Sequence, residues 1–157
     1  MKQILATLLP KQITNRFPGQ KIALYVFVPL TLMLIFRSCM HLIAPDGGAQ
    51  SIATIPLDTY SDSAAANVIA IFSQWGLSQL LLTGLFILVL VRYRSLIPLF
   101  YLLFALEQCG RMGVGHLKPV VTLETAPGSA ANLPLLIISL IMLALSLMPS
   151  KSGDAGD

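Results

Sequence analysis

The sequence predicts an all-α integral membrane protein, a four-helix bundle whose helices all span the bilayer, and three observations lead there. Charge is scarce, apolar stretches of spanning length recur, and helix-breaking residues separate them. Of 157 residues, 55% are hydrophobic and 11% charged, against roughly 25% charged in an ordinary soluble domain. A water-soluble surface is hard to assemble from so few charges, so lipid is the expected solvent for much of the chain. Four helices of about 20 residues with short connections account for nearly all of the length, leaving one domain.

Residues 1–21 hold Lys2, Lys11, Arg16 and Lys21 around an apolar run, Ile4 to Leu9, that Pro10 interrupts. The run is too short to span and lacks a small-residue cleavage site, so a basic interfacial segment is expected rather than a signal peptide. Span one covers about 22–43 and stops before Pro45, Asp46, Gly47 and Gly48, a combination that breaks a helix. Residues 44–63, with two prolines and three aspartates, suit an aqueous loop.

Span two covers about 65–91, within an uncharged stretch from Ala64 to Val91. That stretch exceeds the roughly 20 residues a crossing needs, so it starts above the membrane or tilts. Arg92, Tyr93 and Arg94 form a basic turn, and span three covers about 96–114, with Pro98 in its first turn, where a missing amide proton costs little. Span four covers about 132–148, almost wholly apolar, and residues 150–157 form a polar tail. These four spans make up a transmembrane domain over residues 22–149.

The distribution of Lys and Arg orients the domain. With the N-terminus inside, Lys2, Lys11, Arg16, Lys21, Arg92, Arg94 and Lys151 are cytoplasmic, while the outer loops carry Asp46, Asp58, Asp62 and Glu124. Both termini are expected in the cytoplasm, with the bacterial cytoplasmic (inner) membrane as the location. The scattered basic residues form no stripe of the kind that binds nucleic acid. No complete catalytic, cofactor or metal motif is present, and Cys39 and Cys109 have no metal-ligand spacing. Both cysteines fall near the outer ends of their helices, which leaves a disulfide or a dithiol pair geometrically open beside the plainer reading of two unpaired thiols.

The informative residues are those that lipid should exclude, since an ionisable group in a span costs several kcal/mol unless paired or wet. Three qualify: Arg37, Glu107 and Arg111. At 1.5 Å per residue, Arg37 lies about 22 Å above the start of span one and Arg111 about 24 Å above Ser95, both near the outer interface. Glu107 precedes Arg111 by four residues, the spacing of a helical ion pair. His41 follows Arg37 by four residues, and Asn67, Ile71, Gln74 and Ser78 share one stripe of span two, with Gln74 expected at the depth of Glu107. His116 and Lys118 lie just beyond span three, and Trp75 reads as packing or a pocket wall.

A clasp that only sets helix register explains these groups, and snorkelling to the headgroups explains the two arginines. The functional alternative is an outer-half polar pocket of Arg37, His41, Gln74, Glu107, Arg111 and His116. Its two guanidiniums against one carboxylate suit a small anionic or amphipathic ligand, or a lipid headgroup. A second class is an accessory or scaffold subunit, recognising a membrane-protein partner or a second copy through the apolar surface of span four. The third is a membrane enzyme, using Glu107 and His116 as acid and base or the two cysteines as a redox pair.

The span layout, with both ends inside, an arginine near the outer end of span one, and the run from Leu106 through Glu107, Gln108, Cys109 and Gly110 to Arg111 closing span three, resembles the DoxX-like group of small bacterial membrane proteins. The resemblance covers the architecture of most of the chain and implies a four-helix bundle. It carries over no catalytic or binding residue.

Overall fold

A computed structural model describes residues 2–150, so the polar tail expected over 150–157 lies outside the described residues from position 151 onward. The described residues form five α-helices and no strand: α1 (Lys2–Leu8), α2 (Lys21–Ile43), α3 (Asp62–Arg92), α4 (Ile97–Leu117) and α5 (Pro127–Leu147). Three of them, α2, α3 and α5, are long and apolar enough to cross a membrane. They correspond to spans one, two and four. The helix of span three, α4, is as long as α5 but is not among them, and Glu107, Gln108 and Arg111 in its second half dilute its apolar character.

Local chemistry sets the helix ends. α2 stops where the Ala44 amide bonds back to the Met40 carbonyl, ahead of a turn in which Gly47 and Gly48 take φ of 62° and 72°, a region open mainly to glycine. Ser61 caps α3, its hydroxyl accepting from the Ala64 amide at 3.4 Å. At the other end Arg94 Nε donates to the Leu90 carbonyl at 2.9 Å, satisfying one of the carbonyls a helix C-terminus leaves open. α5 begins at Pro127, ahead of the expected start near 132, because proline at the first helical position gives up an amide that had no partner there. Pro134 therefore lies inside α5 rather than at its start.

α2 packs antiparallel along α3, α4 along α5, and α2 also meets α5, whereas α3 and α4 barely touch. Phe27 is the hub of the core: its ring stacks on Phe86 at 5.4 Å and meets Tyr101 edge-on at 5.3 Å, and the Tyr101 hydroxyl donates to the Ala23 carbonyl at 2.7 Å. Higher up, Gly76 lets α3 run against the α2 backbone. A Cβ there would stand 2.7 Å from the Leu42 nitrogen and 2.8 Å from the His41 carbonyl carbon.

α5 is not uniformly apolar. Its exposed face carries Leu133, Ile137, Leu140 and Ile141, while Asn132, Ser139 and Ser146, seven residues apart, are buried. Ser139 and Ser146 donate to carbonyls of their own helix, Leu136 at 2.8 Å and Leu143 at 2.7 Å. In lipid the large apolar groups lose nothing by facing outward, and small side chains inside let helices approach.

The two ends of the bundle are tied differently. At the end that holds the start of α2, Thr14 and Ser95 exchange two hydrogen bonds, backbone amide to Ser95 hydroxyl at 2.9 Å and Ser95 amide to Thr14 carbonyl at 3.2 Å. Gln20 bonds the end of α5 through the Leu145 and Pro149 carbonyls. At the opposite end the loop after α2 meets the loop after α4, with the Leu123 amide on the Thr54 carbonyl at 2.8 Å and the Thr54 hydroxyl on the Glu124 carbonyl at 2.8 Å.

Candidate functional site: a polar cluster between four helices

Near the loop end of the bundle, each long helix contributes to one polar cluster. Arg37 of α2 donates from Nη2 to Gln79 Oε1 of α3 at 2.5 Å, and Gln79 Nε2 donates to Glu107 Oε1 of α4 at 3.4 Å. The same Glu107 oxygen faces Arg37 Nη2 at 3.6 Å and Arg111 Nη1 at 3.8 Å. Arg111 Nε reaches across to Asn132 Oδ1 of α5 at 3.1 Å. Both guanidiniums stand over the indole of Trp75, at 5.9 Å for Arg37 and 5.4 Å for Arg111, a favourable placement for a cation.

Charge and hydrogen bonding do not close on themselves. Two guanidiniums face a single carboxylate, and both ion pairs are long, so the cluster keeps a net positive charge. Arg37 Nε is buried without a hydrogen-bond partner, a state that costs about 1–3 kcal/mol, more for a charged group. Gln108, one residue beyond Glu107, is fully buried with both amide atoms unpartnered.

Below the cluster opens a cavity of about 260 Å³ bounded by α2, α3 and α4. Arg37, Gln79 and Glu107 line one end, and leucine and phenylalanine side chains with Thr83 line the rest. It lies between α3 and α4, which make little direct contact with each other.

Of the six residues the sequence singles out, the structure brings together Arg37, Glu107 and Arg111. His41 lies beside them rather than among them: its Nδ1 bonds the Gly47 carbonyl at 2.9 Å and its ring leans on Trp75 at 4.7 Å. Gln74 and His116 are exposed and outside the cluster. Gln74 belongs to the stripe with Asn67, Ile71 and Ser78, all but one of polar type, yet the whole stripe faces outward. Phe72, Gly76, Gln79, Thr83 and Phe86 form the face turned to the bundle, at the same spacings of four and three. Periodicity alone cannot choose between two such stripes, but Gly76 marks where backbones meet, and that signal was available. Asn132 was missed because it stands one residue before the apolar run from Leu133.

Cys39 and Cys109 are free thiols, Cys39 half-buried and Cys109 exposed. Beyond the helices, Asp46 organises the loop after α2. Burial pushes its carboxyl pKa up, but hydrogen bonds from the Ser51, Gly48 and Gln50 amides and the Ser51 hydroxyl outweigh burial and hold it below its ordinary value. That nest places the Gly47 carbonyl on His41.

Comparison of the chain with protein-family models, with curated proteins and with solved structures finds no match.

Proposed function

We propose that the chain is a four-span membrane bundle whose polar cluster binds the head of a small anion, a carboxylate or a phosphate group. α4 supplies the fourth crossing in this reading. Its 21 residues reach about 31 Å, enough for the hydrocarbon core, and Glu107 and Arg111 meet partners from α2, α3 and α5 rather than standing alone against lipid. The basic residues at Arg92 and Arg94 share the end of the bundle to which residues 14–20 are tied, the pattern expected of a cytoplasmic face. The cluster then sits toward the outer side of a bacterial cytoplasmic membrane.

The observation that carries the binding reading is the buried, unpartnered Nε of Arg37 within a cluster of net positive charge. A self-sufficient clasp would pair that donor, because an orphaned charged group lowers stability with no structural return. An anion supplies both the missing acceptor and the missing charge.

Trp75, the sole tryptophan, reports on the site because both guanidiniums stand over its ring. Titrating acetate into the protein in lipid nanodiscs should shift Trp75 emission saturably in the millimolar range, the affinity expected of so small an anion. Arg37→Gln should abolish the response while thermal unfolding shows the variant still folded. A wild-type protein indifferent to both acetate and inorganic phosphate would leave the clasp as the whole role of the cluster.

A further inference from the structure

The polar cluster and the cavity under it are one continuous surface, and their chemistries differ in a way that describes a molecule. Arg37, Gln79 and Glu107 form one end; seven residues along α3 and α4 from Gln79 and Glu107 stand Phe86 and Phe100, whose rings meet edge-on at 4.9 Å. Seven residues correspond to about 10 Å of helix. Between these ends the lining carries Leu82 and Leu85 from α3 and Leu103 from α4, and all three are also exposed on the outside of the bundle. The cavity is therefore reached sideways, between two helices that lipid surrounds, rather than from the aqueous end.

We infer that the anion bound by this cluster is the carboxylate of a fatty acid taken laterally from the bilayer, its hydrocarbon tail lying in the α3–α4 groove. The inference rests on the anion-binding reading above and names its ligand class. Three features select this occupant. The net charge of the cluster matches a monoanion, and Glu107, itself in the lining, repels a doubly charged phosphate monoester. The volume of 260 Å³ falls below the roughly 300–1,000 Å³ of ordinary small-molecule sites, which leaves room for one hydrocarbon chain and not two. The polar end lies toward the loop end of the bundle, so a bound chain points to the bilayer centre, as it does in the neighbouring leaflet. No chemistry on the ligand is implied: the groove holds it and the guanidiniums orient it.

The test compares tail and head in nanodiscs of zwitterionic lipid, read by Trp75 emission. Decanoate should act at a total concentration at least about a hundred-fold below that of acetate, because its tail leaves water and the bilayer concentrates it beside the groove. Decyltrimethylammonium, the same tail with a reversed head charge, should give no response. Leu85→Phe and Leu103→Phe fill the groove from positions that are half exposed, so the core stays intact; combined, they should weaken decanoate about ten-fold or more and leave acetate unchanged. A phenylalanine variant that binds decanoate as the wild type does, or acetate and decanoate acting alike, would overturn the tail inference and leave the anion site standing. Failure of both anions would remove the anion site and with it the inference. A Trp75 response produced instead by adding phosphatidylglycerol to the discs, with no effect of decanoate, would assign the groove to a phospholipid and overturn the fatty-acid assignment.

Discussion

Two glycines of α3 should respond unequally to the same substitution. A Cβ on Gly76 would lie 2.7 Å from the Leu42 nitrogen, 2.8 Å from the His41 carbonyl carbon and 2.9 Å from the His41 Cβ. The α2 backbone would have to retreat by about 0.7 Å to restore ordinary van der Waals contact. A Cβ on Gly84, two turns along the same helix, meets nothing within 4 Å. Both Gly→Ala changes gain about 1 kcal/mol of helix propensity, and only Gly76→Ala adds an overpacking cost of about 1–3 kcal/mol. The difference between the variants therefore isolates the steric cost. Gly84→Ala is expected to be the more stable of the two by about 1–3 kcal/mol, measured by reversible denaturation in mixed micelles. The disturbance also reaches the site, since Gln79 is three residues from Gly76 and on its face. Opening α2 from α3 stretches the Arg37–Gln79 bond, so Gly76→Ala should alter Trp75 emission and Gly84→Ala should not. Equal stability of the two variants would refute the close crossing and the register built on it.

Two further outcomes concern the ends of the bundle. Asp46 is held below its ordinary carboxyl pKa of 3.8, so its contribution to stability is present above that value and is lost as the pH falls through the lowered value of the folded state. Protection of the Gly48, Gln50 and Ser51 amides, taken relative to their intrinsic exchange rates at each pH, should fall over that acidic window in the wild type, and Asp46→Asn should show the lower protection already at neutral pH. Ser95→Ala removes the acceptor for the Thr14 amide, at a cost of about 1 kcal/mol. Trypsin should then cut after Lys11 and Arg16 faster than in the wild type, while the circular dichroism of the long helices stays the same. Unchanged cleavage would mean that the Thr14 carbonyl bond to the residue 95 amide and the Gln20 bonds to α5 hold residues 14–20 without the Ser95 hydroxyl.

Helix positions were legible because their causes are local. The extent of α2 over about 22–43, its end before Pro45, the break at Arg92 to Arg94 and the membrane character of three helices all follow from composition, length and breakers within a short window, whereas the start of α5 at Pro127 lies ahead of the expected 132. So did the pairing of Glu107 with Arg111, which is a spacing on one helix, and the convergence of Arg37 on them, which follows from the cost of leaving charge in lipid. The inward face of α3 was not legible in the same way: the stripe through Gln74 and the stripe through Gln79 have the same period, and an uncharged amide can face either way at modest cost.

By itself, then, the sequence determined the four long helical stretches to within a few residues, the membrane character of three of them and which side chains need partners, because each depends on a residue and its near neighbours. Only the tertiary structure decided that Gln79 rather than Gln74 joins Arg37 to Glu107, that Asn132 holds Arg111, and that α5 turns Ser139 and Ser146 inward. It also decided that α3 and α4 part to leave an apolar groove beneath the guanidiniums. Those outcomes depend on the rotation and spacing of whole helices, set by the close approach at Gly76 and the ring cluster around Phe27, where residues far apart in the chain meet.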